Sequence, residues 1–187
     1  MFGRRFESAH LHFMEANKWY AVRVSYGRVL KFCASLKEDG VEHFIPMCTK
    51  KIERNGKRVS VTVPAVSNLC FIRTTKDSLR SIFEAMGDAR YASFFWDKST
   101  REPIVVSDKA MADFMQISRV MADETLYLKD ITAKLQAGQK VRVLNGPFQG
   151  VEGIVIRVKR SRRVVVDFPG LLAIATTFID PRDLELI

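Results

Sequence analysis

Residues 139–187 are short runs rich in Val and Ile, cut by turn signals at 145–147, 150, 153, 161, 169–170 and 180–181. No other feature restricts the fold so strongly. Runs of four to eight β-branched residues between such breaks are too short and too poor in helix formers to be helices. Their spacing predicts a small five-stranded β-barrel over 135–187. Its most patterned stretch is "VRVLNGPFQGVEGIVIRV" (141–158). There Gly146 and Gly150 permit turn conformations unfavourable to other residues, and Pro147 presets one dihedral. Phe148 is placed to cover one end of the barrel. Gly153 permits a bulge or a close strand crossing.

The first 120 residues alternate between two periods. "KWYAVRV" (18–24) reads as a strand. Val29, Leu30, Phe32, Cys33 and Leu36 then recur at helical spacing until Gly40. "VEHFIPM" (41–47) predicts a second strand, and "TKKIERNGKRVSVTVP" (49–64) a hairpin about Asn55-Gly56, with Val59, Val61 and Val63 on one face. "NLCFIR" (68–73) predicts a buried strand, and "KDSLRSIFEAMG" (76–87) a helix capped by Asp77 or Ser78 and stopped by Gly87. "YASFFWD" (91–97) is an aromatic strand. "REPIVVSDKAMADFMQISRVM" (101–121) is a short strand and a helix with Ser107 as its N-cap. The order β-α-β-β-α-β plus a third helix predicts a ferredoxin-like α+β arrangement, two helices packing on one face of an antiparallel sheet. Residues 1–17 are expected to be a tail, 18–121 one domain, 122–134 a linker whose Leu126 and Leu128 dock on a neighbouring element, and 135–187 a second domain.

Net charge is +9, with 22 Lys/Arg against 16 Asp/Glu in residues 1–134 and 8 against 5 in 135–187. Both halves are basic, which favours a polyanionic partner. Cys33, Cys48 and Cys70 are too far apart for a C-x-x-C zinc or redox motif, and read as small buried hydrophobes in a reducing, cytoplasmic setting. No apolar run approaches the ~18 residues that span a bilayer, so no membrane association is expected. His10 and His12 have no third ligand nearby, and His43 reads as structural. The chain carries no phosphate-binding glycine loop, nucleophile elbow or zinc-protease motif. A binding module is therefore expected rather than an enzyme, with no cofactor and no metal, and as a monomer.

"GQKVRVLNGPFQGVEGIVIRV" (138–158) resembles a KOW motif. The segments "WYAVRV" (19–24), "IPM" (45–47), "NGKR" (55–58), "VPAVSNLCFIR" (63–73), "FFWD" (94–97) and "PIVVSDKAMADFM" (103–115) resemble, in order and spacing, the N-terminal (NGN) domain of NusG-type transcription elongation factors. The resemblance covers residues 18–187. It implies that the first domain binds the clamp helices of RNA polymerase through an apolar depression and reduces pausing or termination. It also implies that the KOW barrel recruits a second partner, a small-subunit ribosomal protein or Rho.

Carried onto this sequence, the clamp-helix pocket includes Val66, Phe71 and Phe94, supported by Tyr20, and a contact across the cleft maps to Thr74 and Thr75. This chain departs from the family at Ser67-Asn68, where Pro-Gly or Pro-Asn is usual, and at Val66, where an aromatic is usual. Arg23, Arg28 and Lys31 match the region that faces non-template DNA. Secondary nucleic-acid contacts are expected from Lys50, Lys51, Arg54, Lys57 and Arg58 on the hairpin. Others are expected from Arg157, Lys159, Arg160, Arg162 and Arg163 on the barrel. The basic charge, the tail and the altered motif suggest a specialised RfaH/UpxY-like paralogue acting in antitermination on particular operons, with a barrel that stays β. The competing class is a ribosome- or RNA-binding KOW protein acting in translation, which accounts for the barrel and the charge but not for the N-terminal order of elements.

Overall fold

The computed structural model describes residues 16–25, 27–87, 91–121, 126–128, 138–158, 161–168 and 171–187, with 126–128 and 158 by backbone alone. The expected tail, with His10 and His12, and the barrel cations Lys159 and Arg160 lie outside the described residues.

The N-terminal sheet is built round β1 (Lys18–Val24), which pairs antiparallel with β5 (Leu69–Thr74), β6 (Ala92–Phe94) and β7 (Val105–Val106). β2 (Glu42–Phe44) adds outside β5, giving the order β2-β5-β1-β6. Side chains alternate across a strand, so β1 divides its residues between two cores. Tyr20, Val22 and Val24 join Cys70 and Ile72 on one face. That face is covered by α1 (Val29–Glu38) and α2 (Lys76–Glu84) through Phe32, Leu36, Leu79 and Phe83. Trp19 and Ala21 join Leu69 and Phe71 on the other, under α3 (Asp108–Val120).

The helix starts follow from hydroxyl caps. Ser107 Oγ accepts the Ala110 N–H, as its place in the sequence predicts. The cap of α2 differs from the sequence expectation. Thr75, not Asp77 or Ser78, takes the extended cap conformation and accepts the Ser78 N–H at 3.1 Å. Asp77 lies in the first turn, where its charge complements the helix dipole.

The hairpin of β3 (Met47–Arg54) and β4 (Lys57–Pro64) forms a two-stranded ribbon. Asn55 and Gly56 both have positive φ, +52° and +70°, as a two-residue turn of matching twist requires. Cys33 and Cys70 are buried with their sulfurs 3.2 Å apart, and the bond from Cys33 together with burial raises the Cys70 thiol pKa well above its usual value. Cys48 is only half-buried, because its strand belongs to the ribbon rather than to the packed sheet.

The second sheet has the order β13-β9-β10-β11-β12-β8. Five of its strands fall where turn spacing predicts them: β9 (Gln139–Val143), β10 (Glu152–Val158), β11 (Ser161–Phe168), β12 (Leu172–Ala175) and β13 (Leu184–Leu186). The sixth, β8 (Leu126–Leu128), comes from the expected linker and pairs with β12. Gly153 marks a close approach: a Cβ there would lie 2.4 Å from the Val165 carbonyl oxygen on β11.

Candidate functional site

The odd-numbered face of the first sheet does not end in solvent. Trp19, Ala21, Leu69, Phe71, Met111, Phe114 and Ile117 form one continuous core with Val141, Val143, Phe148, Val164, Val166, Phe168 and Ile174 of the second sheet. Phe168 is the joint. Its ring lies 4.8 Å from that of Phe114 on α3 and 5.5 Å from that of Phe71 on β5. Phe44, half-buried on β2, meets Phe114 edge-on at 5.7 Å. Four aromatic side chains from four elements thus close over the apolar face.

A polar rim surrounds this contact on the α3 side. Asp113 is 4% exposed, and its carboxylate takes the Lys109 ammonium one turn back. The same carboxylate accepts the Glu152 backbone N–H at 3.2 Å. Lys109 also donates to the Gly150 carbonyl at 2.9 Å, and Gln116 donates to the Pro147 and Gln149 carbonyls at 3.0 and 3.2 Å. The "NGPFQG" turn is therefore read, backbone atom by backbone atom, by one face of α3. Gly146 and Gly150 hold φ near +83° and +84°, which aims these carbonyls at the helix. Phe148, expected to cover a barrel end, is buried in the shared core.

The sequence-predicted pocket residues divide between the two faces. Phe71 is fully buried at the joint, and Val66, in the turn before β5, packs against the same core while remaining half-exposed. Tyr20 and Phe94 lie on the other face, ring to ring at 5.8 Å, under the first two helices. The register explains this: Ala21 is opposite Phe71, whereas Tyr20 is opposite Ile72. Thr74 closes β5 opposite Lys18, and the Thr75 hydroxyl caps α2.

Arg23, Arg28 and Lys31 are all exposed. Arg23 shares the odd face with Phe71, its guanidinium 4.8 Å from the Phe95 ring centroid. Arg28 stands over Tyr91 at 5.0 Å and precedes the helix that covers the even face. Lys50, Lys51, Arg54, Lys57 and Arg58 are exposed along the ribbon. Arg157 and Arg162 are exposed, and Arg163 donates to the Thr176 carbonyl at 2.7 Å.

Phe44, Phe114, Phe168, Lys109, Asp113 and Gln116 were not singled out by sequence. One signal was available. "RRVVVDF" and "LLAIA" are uninterrupted rather than alternating, the pattern of strands buried on both faces. Val164–Val166 and Leu172–Ala175 are indeed buried at every position.

The chain is basic, its first sheet carries an apolar face, and its second sheet is built on a Gly-Pro-Phe turn. Among its described residues no helix is long and apolar enough to cross a membrane. Residues 17–115, just over half the chain, match the family model described as "Transcription termination factor nusG", and residues 137–167 match the KOW motif. The chain belongs to the NusG family, and so to the transcription elongation and termination factors. No curated protein matches it.

Proposed function

We propose that this factor binds the clamp helices of RNA polymerase through the apolar face around Phe44, Val66, Phe71 and Phe114. The form described here is then a closed one, and the second sheet must leave that face before polymerase can dock. The observation that carries this reading is the seating of Phe168 between Phe71 and Phe114. An apolar face with aromatic walls suits a helix pair, and here it is already filled by the chain itself. Tyr20 and Phe94 act from behind, by fixing the sheet against α1 and α2.

Once bound, Arg23, Arg28 and Lys31 track non-template DNA through phosphate contacts that carry no base readout. Thr74 and Thr75 reach across the cleft. The released KOW sheet recruits a second partner, a small-subunit ribosomal protein or Rho. Pausing and termination are reduced on particular operons, as in the RfaH/UpxY-like paralogues, and the protein works in the cytoplasm without a cofactor and without catalysis.

The test is co-purification of core polymerase subunits with the full chain, wild type against Val66→Asp. Val66 is half-exposed, so the charge is tolerated by the fold, which a thermal melt checks. Capture of polymerase by the wild type and its loss in the variant support the reading. Capture of ribosomal RNA and no polymerase sinks it in favour of a role in translation.

A further inference from the structure

The second sheet leaves two opposite charges unmatched beside α3. Register sets Lys140 on β9 opposite Ile154 on β10, and Ile154 opposite Val165 on β11. Alternation along β11 puts Asp167 on the same face as Val165. Lys140 and Asp167 thus stand two strands apart on one face, about 12 Å between Cα atoms at the usual strand spacing and rise. Neither the ammonium nor the carboxylate has a hydrogen-bond or ion-pair partner among the described residues.

The other charges nearby are already matched. Asp113 holds Lys109, which lies 3.9 Å from Glu152, and Glu152 is bonded to Arg142 at 3.0 Å. Asp167 stands outside this network, and burial raises its carboxyl pKa above the usual value. Its charge is partly desolvated, and nothing offsets that cost.

Lys140 and Asp167 border one groove of about 460 Å³, whose opposite wall is α3. That volume falls in the range of small-molecule sites. Ala110 on α3, Ile154 on β10 and Ile187, 50% exposed, give the groove its apolar surface.

We propose that this groove binds a small aliphatic zwitterion, an ammonium and a carboxylate joined by a short methylene chain. The ammonium pairs with Asp167, the chain lies on Ala110, Ile154 and Ile187, and the carboxylate pairs with Lys140. A diamine or a dicarboxylate sets like charges together at one end, and a neutral molecule leaves both ends unmatched. Because the two walls come from α3 and from the second sheet, an occupant stabilises the joined form and not the separated one. What that does to polymerase docking rests on the reading above, whereas the binding itself does not.

The experiment is isothermal titration calorimetry of the full chain at pH 8 with 6-aminohexanoate, hexylamine and hexanoate. The last two each lack one of the charges. The zwitterion should bind one to one, and each single-charge analogue about 5- to 30-fold more weakly. Asp167→Asn should weaken 6-aminohexanoate by that factor and leave hexanoate unchanged. Lys140→Gln should weaken it likewise and leave hexylamine unchanged. A thermal melt checks that both variants fold. No saturable binding by the wild type overturns the proposal. So does a hexylamine or hexanoate affinity equal to that of the zwitterion, or an unchanged zwitterion affinity in either variant. No polymerase is present, so failure of the polymerase reading leaves these outcomes interpretable.

Discussion

The rings of Phe168 and Phe114 meet edge-on, 4.8 Å apart and at 60°, across the junction of the two sheets. Edge-on contact adds about 0.5–1.5 kcal/mol to the burial of the rings. Phe168 also touches Phe71, so truncation at this one position empties the centre of the junction. Phe168→Ala should cost about 3–5 kcal/mol, the range for a buried Phe. A thermal melt should show the single wild-type transition split into two, one for each sheet.

Asp113 holds the rim as Phe168 holds the centre. Replacing it by Ala leaves the half-buried Glu152 N–H without this acceptor and removes the ion pair with Lys109, which keeps its bond to the Gly150 carbonyl. An unsatisfied buried donor costs about 1–3 kcal/mol. Amide exchange at Glu152 should accelerate 5- to 100-fold in Asp113→Ala, while exchange in β1 and β5 stays as it was.

Gly153→Ala tests a close approach rather than a turn. The added methyl meets the Val165 carbonyl and the Val164 side chain, and neither is free to move. Overpacking of this sort costs about 1–3 kcal/mol. Chemical denaturation should show that loss in the second sheet.

Asp167 gives the junction a pH dependence. It lines the groove between β11 and α3, and burial raises its carboxyl pKa above the usual value. A raised acid contributes stability that is fully present below its ordinary pKa and is lost as pH rises through the raised one. The closed form should therefore loosen as pH climbs through that window, and Asp167→Asn should abolish the effect. A carbon-detected NMR titration of the Asp167 carboxyl in the full chain checks the shift.

Local chemistry was legible in the sequence where it was self-contained. Asn55-Gly56 wrote its own turn, Ser107 its own cap, and Gly153 its own strand crossing. At the start of α2 the nearby polar residues Thr75, Asp77 and Ser78 compete for the cap, and backbone geometry, which the sequence does not show, chooses Thr75. β8 was missed because three residues, Leu126–Leu128, are too few to show a period. The division of Tyr20 and Phe94 from Phe71 is a matter of register, which only pairing with β5 fixes. The junction itself joins residues far apart in sequence, such as Phe71 and Phe168. Its sole trace was a run of valines with no polar face.

If the second sheet covers a face that docks polymerase, the affinity of the full chain for core RNA polymerase should differ among three forms: wild type, Phe168→Asp, and Phe168→Asp with Val66→Asp. A charge at 168 expels the second sheet, so the single variant should bind at least about tenfold tighter, corresponding to about 1.4 kcal/mol. Adding Val66→Asp should erase that gain. Wild-type binding as tight as Phe168→Asp, or a gain that survives Val66→Asp, would contradict the account.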